Sequence, residues 1–286
     1  MKLPAFDYAT PTSIGEAVAL LAAGDGSARP LSGGQTLMPL LAFRLTAPSL
    51  LVDLRGIPGL DAVEIGEAGT RLGARVRWCD IEAHAGLAAA QPLLVAMIGH
   101  VAHYQIRKRG TLGGSMAHAD PAAEMPGVAV ACDGVLHLVG AGGARDVAAR
   151  DFFLGPLTTA LAADELIVGI TLPAWPHGRR WGFQEFARRR GDFALAGVAV
   201  HYDEVGGRAV GAHVAVIGAC SAPHRVAAAE ALLEGSAVTS ALAAEVGRAV
   251  AASVSPPEDI HATAAYRRSL AGTLAERALA AAGGLA

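Results

Sequence analysis

The sequence predicts an α+β chain of two domains, and three observations carry that expectation. Strand candidates and helical patterns alternate along the chain without an internal repeat. At 286 residues the chain is longer than a typical single domain. Near the middle, Pro173-Ala174-Trp175-Pro176-His177-Gly178 sets two prolines and a glycine where neither helix nor strand continues, so the domain boundary is placed there. Hydrophobic residues make up 52% but aromatic ones only 5%, so the apolar content is mostly small side chains suited to helices and close backbone approach.

Ser13 to Glu16 reads as a capping box, and Ile14, Ala17, Val18 and Leu21 follow at helical spacing until Gly24 to Gly26 stops the helix. Ala28 to Leu31 is a short strand that runs into Ser32-Gly33-Gly34-Gln35-Thr36. Leu37 to Leu45 is then helical in character, and Leu50 to Leu54 is a strand. From Arg71 to Trp78 the chain alternates, with Leu72, Ala74, Val76 and Trp78 on one face and three arginines on the other, the pattern of a half-solvated strand. Asp80 to about Tyr104 is helical. A second glycine loop, Gly110-Thr111-Leu112-Gly113-Gly114-Ser115, leads to Ala119-Asp120-Pro121, where Asp120 caps a turn. Val135 to Val139 and Leu166 to Leu172 read as strands. Beyond the linker come strands at Trp181 to Phe186, Leu195 to Tyr202 and Ala212 to Gly218, then helical stretches from Arg225 onward.

A net charge of -3 gives no positive field for nucleic acid or anionic lipid. Met1 to Tyr8 has no apolar core of signal-peptide length, and no apolar run is long enough to span a bilayer, so the expectation is a cytoplasmic protein without an integral membrane segment. Cys79, Cys132 and Cys220 lack the clustered spacing of zinc or iron-sulfur ligands and read as buried thiols. His100 and His103, three apart on the expected helix, have no third ligand nearby, so no metal site is expected. No GxSxG elbow is present. Any chemistry belongs to a cofactor.

Gly33-Gly34 follows a strand and precedes a helix, so its backbone N–H groups would face a phosphate, with Ser32 and Thr36 adding hydroxyls, and the loop at Thr111 to Ser115 repeats that composition with a hydroxyl residue on either side. The competing reading of each loop alone is an ordinary turn. Arg107, Lys108 and Arg109 read as a solvated face, and Asp120 and Glu124 as acceptors for sugar hydroxyls, with turn capping an equal role for Asp120.

As a set these motifs resemble the FAD-binding medium subunits of aerobic carbon monoxide dehydrogenase and xanthine dehydrogenase-type molybdenum hydroxylases. The resemblance rests on Ser32-Gly33-Gly34-Gln35-Thr36 and Thr111-Leu112-Gly113-Gly114-Ser115, flanked by Gln105-Ile106-Arg107, Ala119-Asp120-Pro121, Val52-Asp53-Leu54 and Arg190-Gly191-Asp192-Phe193-Ala194. It runs from Phe6-Asp7-Tyr8 to the C-terminal helices.

The resemblance implies a two-lobed FAD domain of the vanillyl-alcohol-oxidase (PCMH) type over 1–175, with lobes of about 1–55 and 56–175, and a C-terminal domain of antiparallel strands and a helical bundle over 178–286. It assigns to FAD binding Leu31, Ser32, Gly33, Gly34, Gln35, Thr36 and Leu37, together with Thr111, Gly113, Gly114, Ser115, Asp120, Ile167 and Phe193. Phe193 takes the place of a tyrosine in some relatives and would lie against the isoalloxazine. Ser115 stands where asparagine or aspartate is frequent, and Thr36 where serine is common. The implied partners are a large subunit with the molybdenum cofactor and a small subunit with two-iron clusters, in a dimer of heterotrimers, with this chain passing electrons through FAD to an external acceptor. A self-sufficient FAD-dependent reductase on the same fold and a cofactor-free assembly scaffold are the alternatives.

Overall fold

The computed structural model describes residues 2–285. Three packed units follow one another along the chain. The first contains β1 (Asp7–Ala9), α1 (Ile14–Ala23), β2 (Ala28–Leu31), α2 (Leu37–Ala42) and β3 (Leu50–Asp53), with the strands parallel in the order β1-β3-β2. The Ser13 hydroxyl caps α1 by accepting from Glu16 N at 3.2 Å, while the Glu16 carboxylate reaches Thr12 N at 2.8 Å, one residue earlier than a capping box requires. The Tyr8 hydroxyl donates to the buried Asp53 carboxylate, which also takes Arg55 Nε at 2.7 Å. Tyr8 and Asp53 thus lock the sheet edge.

The second unit begins with β4 (Val63–Gly66) and β5 (Gly69–Gly73), continues through α3 (Trp78–Ala83), α4 (Leu87–Ala90), α5 (Pro92–Ile98), α6 (Tyr104–Arg107), α7 (Leu112–His118) and α8 (Glu124–Ala131), and ends with β6 (Val135–Gly140), β7 (Gly143–Ala148), α9 (Ala149–Phe152), β8 (Phe153–Gly155), β9 (Thr158–Thr159) and β10 (Leu166–Pro173). Five of its strands form an antiparallel sheet in the order β4-β5-β10-β6-β7.

Two expectations need correction here. The strand expected over Arg71 to Trp78 ends at Gly73, although Leu72, Ala74, Val76 and Trp78 are all buried as its alternation requires. Beyond Gly73 the carbonyls of Ala74 and Val76 accept from Gly113 N at 2.7 Å and Leu112 N at 2.9 Å, so this stretch serves α7, while Ala74 N still donates to Val168 O of β10 at 3.1 Å. The long helix expected over Asp80 to Tyr104 is split into three. His84 takes an extended conformation after α3, and Gln91 leaves the helical region before Pro92, as a residue preceding proline tends to. Gly99 closes α5, so His100 and His103 share no helix.

The C-terminal unit is an antiparallel sheet of β11 (Arg180–Phe186), β12 (Ala196–Val205), β13 (Arg208–Ile217) and β14 (His224–Arg225), followed by α10 (Ala227–Leu233), α11 (Ser240–Ser253) and α12 (Ala264–Gly283). Residues Ala196 to Tyr202 of β12 are buried without interruption, so both faces of the sheet are covered. Val198, Val200 and Tyr202 pack with the C-terminal helices, whereas Ala199 and Ala215 belong to the core of the second unit.

All eight residues of α8 are buried between the two units. Complete burial of Met125, Val128 and Val130 contributes about 1.5–3 kcal/mol each and holds a short helix that carries Pro126 and Gly127 in its first turn. On the far side, Arg267 of α12 donates Nη1 to the carbonyls of Leu195 (2.9 Å) and Gly218 (3.2 Å) and Nη2 to Asp259 (2.7 Å). Gly218 N in turn donates to Pro121 O at 2.8 Å, which ties the C-terminal unit to the turn after Asp120. Among the described residues no helix is long and apolar enough to cross a membrane.

Candidate functional site

A cleft of about 570 Å³ opens where the three units meet, within the size range of small-molecule and cofactor sites. The loop after β2 supplies Ser32, Gly33, Gly34, Gln35, Thr36 and Leu37. The region around α7 supplies Thr111, Gly113, Gly114, Ser115, His118 and Asp120, while α8 adds Glu124, β10 adds Ile167 and the C-terminal unit adds Gly191, Asp192 and Phe193. Residues as far apart in sequence as Ser32 and Phe193 thus converge, and every residue assigned to FAD binding from sequence lines the cleft except Leu31. Leu31 closes β2 beneath the loop, where its Cδ1 would stand 3.4 Å from a Cβ on Gly34.

The two glycine segments meet directly. Ser32 Oγ and Thr111 Oγ1 are 2.9 Å apart, and a Cβ added to Gly33 would lie 2.2 Å from the carbonyl oxygen of Arg109. Gly33 is therefore a contact point between the loops. Gly34 has φ of +73°, a left-handed conformation that turns the backbone between β2 and α2. Through this turn the N–H groups of Gly33, Gly34, Gln35, Thr36 and Leu37 find no protein acceptor among the described residues. Five consecutive unengaged donors beside a cleft make a cradle for an anion without any formal charge.

The second segment differs from its sequence reading, because Leu112 to His118 form α7 and the glycines lie in its first turn. Leu112 N and Gly113 N are already taken by Val76 and Ala74, which leaves Gly114 N as the donor of that turn facing the cleft. A Cβ on Gly114 would meet only Thr111 Oγ1, at 3.0 Å, so this glycine keeps the cleft wall low. Ala119, with φ of +51°, ends α7 and swings Asp120 to the cleft, where its Oδ1 accepts from Ala122 N at 2.9 Å. Capping and cleft lining thus coexist at Asp120.

Arg29 and Arg107 are committed elsewhere. Arg29 donates to Gly26 O and Ala28 O. Arg107, expected on a solvated face, is instead a partly buried clamp, with Nε 3.0 Å from Glu82 and Nη1 on Val101 O and Ala102 O, whereas Lys108 and Arg109 are exposed. Glu124 is the least conventional lining residue. It is buried, its carboxyl has no side-chain partner among the described residues, and burial, reinforced by Asp120, pushes it up to about 7. Phe193 is 67% exposed at the cleft mouth and so is not a core side chain.

Several lining residues carry no local signal in the sequence. Trp78, Leu161 and Glu165 reach the cleft only through tertiary placement, Glu165 being held by Arg145 at 2.5 Å. Cys132 and Cys220 are buried as expected, but Cys79 is only partly so, and burial raises its thiol above the ordinary range.

The description "FAD binding domain in molybdopterin dehydrogenase" matches residues 4–175, and "CO dehydrogenase flavoprotein C-terminal domain" matches residues 181–282. The nicotine 6-hydroxylase medium subunit of Paenarthrobacter nicotinovorans is 42% identical over 283 residues, 99% of each chain. Among solved structures, carbon monoxide dehydrogenase from Hydrogenophaga pseudoflava superposes with a TM-score of 0.97 at 35% identity, covering 100% of this chain and 99% of the other. Quinoline 2-oxidoreductase from Pseudomonas putida 86 superposes with a TM-score of 0.94 at 37% identity, with coverage of 100% and 99%.

Proposed function

Because the chain belongs to the FAD-binding medium-subunit family of the molybdenum hydroxylases, we propose that it binds FAD in the cleft between its three units and relays electrons from a partner's two-iron clusters to an external acceptor. The observation that carries this reading is the run of unengaged amides from Gly33 to Leu37, a cradle that suits a diphosphate and has no other ligand in the fold. Bound there, FAD supplies the ability to take up electrons singly and release them singly or in pairs.

The chain's own residues do the rest. Gly33 to Leu37, with Gly114 N, would hold the diphosphate; Ser32, Thr36 and Ser115 would add hydroxyl donors; and Asp120 and Glu124 would accept from sugar or ribityl hydroxyls. Ile167 and the exposed ring of Phe193 supply apolar surface for the isoalloxazine. The partners are a large subunit holding the molybdenum cofactor and a small iron-sulfur subunit, arranged as a dimer of heterotrimers in the cytoplasm. The domain division is placed at the Pro173 to Gly178 linker, with the FAD-binding part before it.

Gly114→Val tests the site, since its side chain would enter open cleft with little backbone conflict. The expected result is a folded protein that has lost most of its FAD. Native flavin content in Gly114→Val would refute the assigned site, and a native protein that stays colourless after incubation with FAD would refute the function.

A further inference from the structure

Electrons that arrive from iron-sulfur clusters bring no protons, yet full reduction of a flavin takes up two electrons and two protons. Resting on the FAD reading above, we propose that Glu124, Glu185 and His100 form a proton path between solvent and the cofactor cleft.

The geometry places the three groups in a graded series. Glu124 faces the cleft from the first turn of α8. Glu185, on β11, has a side chain only 4% exposed, and its Cγ would stand 3.6 Å from a Cβ on Gly197, which packs on Ile217 as Gly127 of α8 does. His100 stands between Glu185 and the surface, its Nδ1 3.8 Å from Glu185 Oε1 and its side chain 45% exposed. Glu185 Oε2 is buried with no hydrogen-bond partner. No lysine or arginine pairs with either carboxyl, and an isolated buried carboxylate costs several kcal/mol, so Glu185 carries a proton.

The charges facing these groups agree. Burial, with a contribution from Glu124, pushes Glu185 up to about 8, while Glu124 itself, felt also by Asp120, is raised to about 7. Burial and then Arg190 lower His100, which keeps its imidazole neutral and able to pass a proton inward. Protons held near neutrality are the ones that exchange readily in both directions.

With FAD bound, Glu124 would give up its carboxyl proton toward the cofactor cleft. Glu124 regains a proton from Glu185, and Glu185 from solvent by way of His100. Two such cycles would match an uptake of two electrons and two protons, and re-oxidation would run the same steps outward. The side chains end each cycle as they began.

The test uses the assembled complex, with flavin content measured first. Two quantities are followed between about pH 6 and 9: the flavin midpoint potential, and proton uptake reported by an indicator dye during rapid reduction. The native complex should show a bend in potential against pH where the carboxyls titrate. Glu185→Gln, isosteric with the protonated acid, should keep native flavin content, leave only the part of the bend due to Glu124 and take up protons roughly 10-fold or more slowly. His100→Gln, at a half-exposed position, should keep the bend but slow uptake. A native bend with native uptake in Glu185→Gln overturns the proposal. Absence of flavin from the native complex overturns the FAD reading and the path together. Should Glu185→Gln fail to assemble, infrared difference spectra of the native complex decide: a protonated-carboxyl band that changes on flavin reduction supports the path, and a silent carboxyl region overturns it.

Discussion

Gly33→Ala is the sharpest probe of how the two glycine segments build one site. The added methyl would stand 2.2 Å from Arg109 O and 3.0 Å from Gly110 Cα, and both neighbours are backbone, so no side chain can rotate away. Relief to the 3.4 Å of an ordinary contact requires a displacement of about 1.2 Å between the loop after β2 and the segment before α7. A movement of that size breaks the 2.9 Å hydrogen bond between Ser32 and Thr111.

Overpacking of this kind costs about 1–3 kcal/mol, and the lost hydrogen bond adds about 0.5–1.5 kcal/mol. The donors of Gly33 to Leu37 shift relative to Gly114 N at the same time. A misfit worth about 1.4–2.8 kcal/mol at the diphosphate weakens FAD by roughly 10- to 100-fold. Denaturant unfolding gives the first quantity and titration of FAD-depleted protein gives the second. Gly15→Ala is the control, because a Cβ there, in the first turn of α1, meets nothing within 4 Å. Native stability and native FAD affinity in Gly33→Ala would show that the close approach of the loops is not what shapes the cradle.

Three further outcomes are expected. A double-mutant cycle of Ser32→Ala and Thr111→Val should give a coupling of about 0.5–1.5 kcal/mol in unfolding experiments, and strict additivity would deny the loop-to-loop bond. Glu185 has a raised carboxyl, so the native fold binds its proton more tightly than the unfolded chain, and stability falls as pH climbs from about 4.5 to about 8. Glu185→Gln should flatten that part of the stability curve and leave the acid side alone; an unchanged slope would mean the carboxyl is already ionised. Asp259 behaves oppositely: burial works against its charge, but Arg267 and the N–H groups of His261 and Ala262 outweigh it and bring it to about 2. Its stabilisation is present above about pH 4 and is lost as pH falls toward 2, so Asp259→Asn should lower the thermal midpoint at neutral pH and reduce its fall on acidification. A parallel acid loss in both proteins would remove the role given to this pair.

What could be read from the sequence was local, and what could not was set by partners distant in the chain. β2 and α1 lie where the pattern placed them because caps and breakers stand next to them: Ser13 at one end of α1, Gly24 at the other. The alternation from Leu72 to Trp78 reported burial correctly and pairing wrongly. Side chains alternate in any extended segment, and only the fold decides that the carbonyls of Ala74 and Val76 serve the first turn of α7 rather than a neighbouring strand. The same contact hid α7 itself, since Gly113 and Gly114 are poor helix formers whose turn is held by acceptors some 40 residues upstream. Phe193 shows how the site depends on this arrangement. It reaches the cleft from the C-terminal unit because Arg267 grips Leu195 O and Gly218 O while Gly218 N grips Pro121 O, so the exposed ring and Asp120 are positioned by one hydrogen-bonded chain. An FAD-depleted Arg267→Lys variant, which keeps the charge but loses the forked donors, would separate placement of Phe193 from loss of charge.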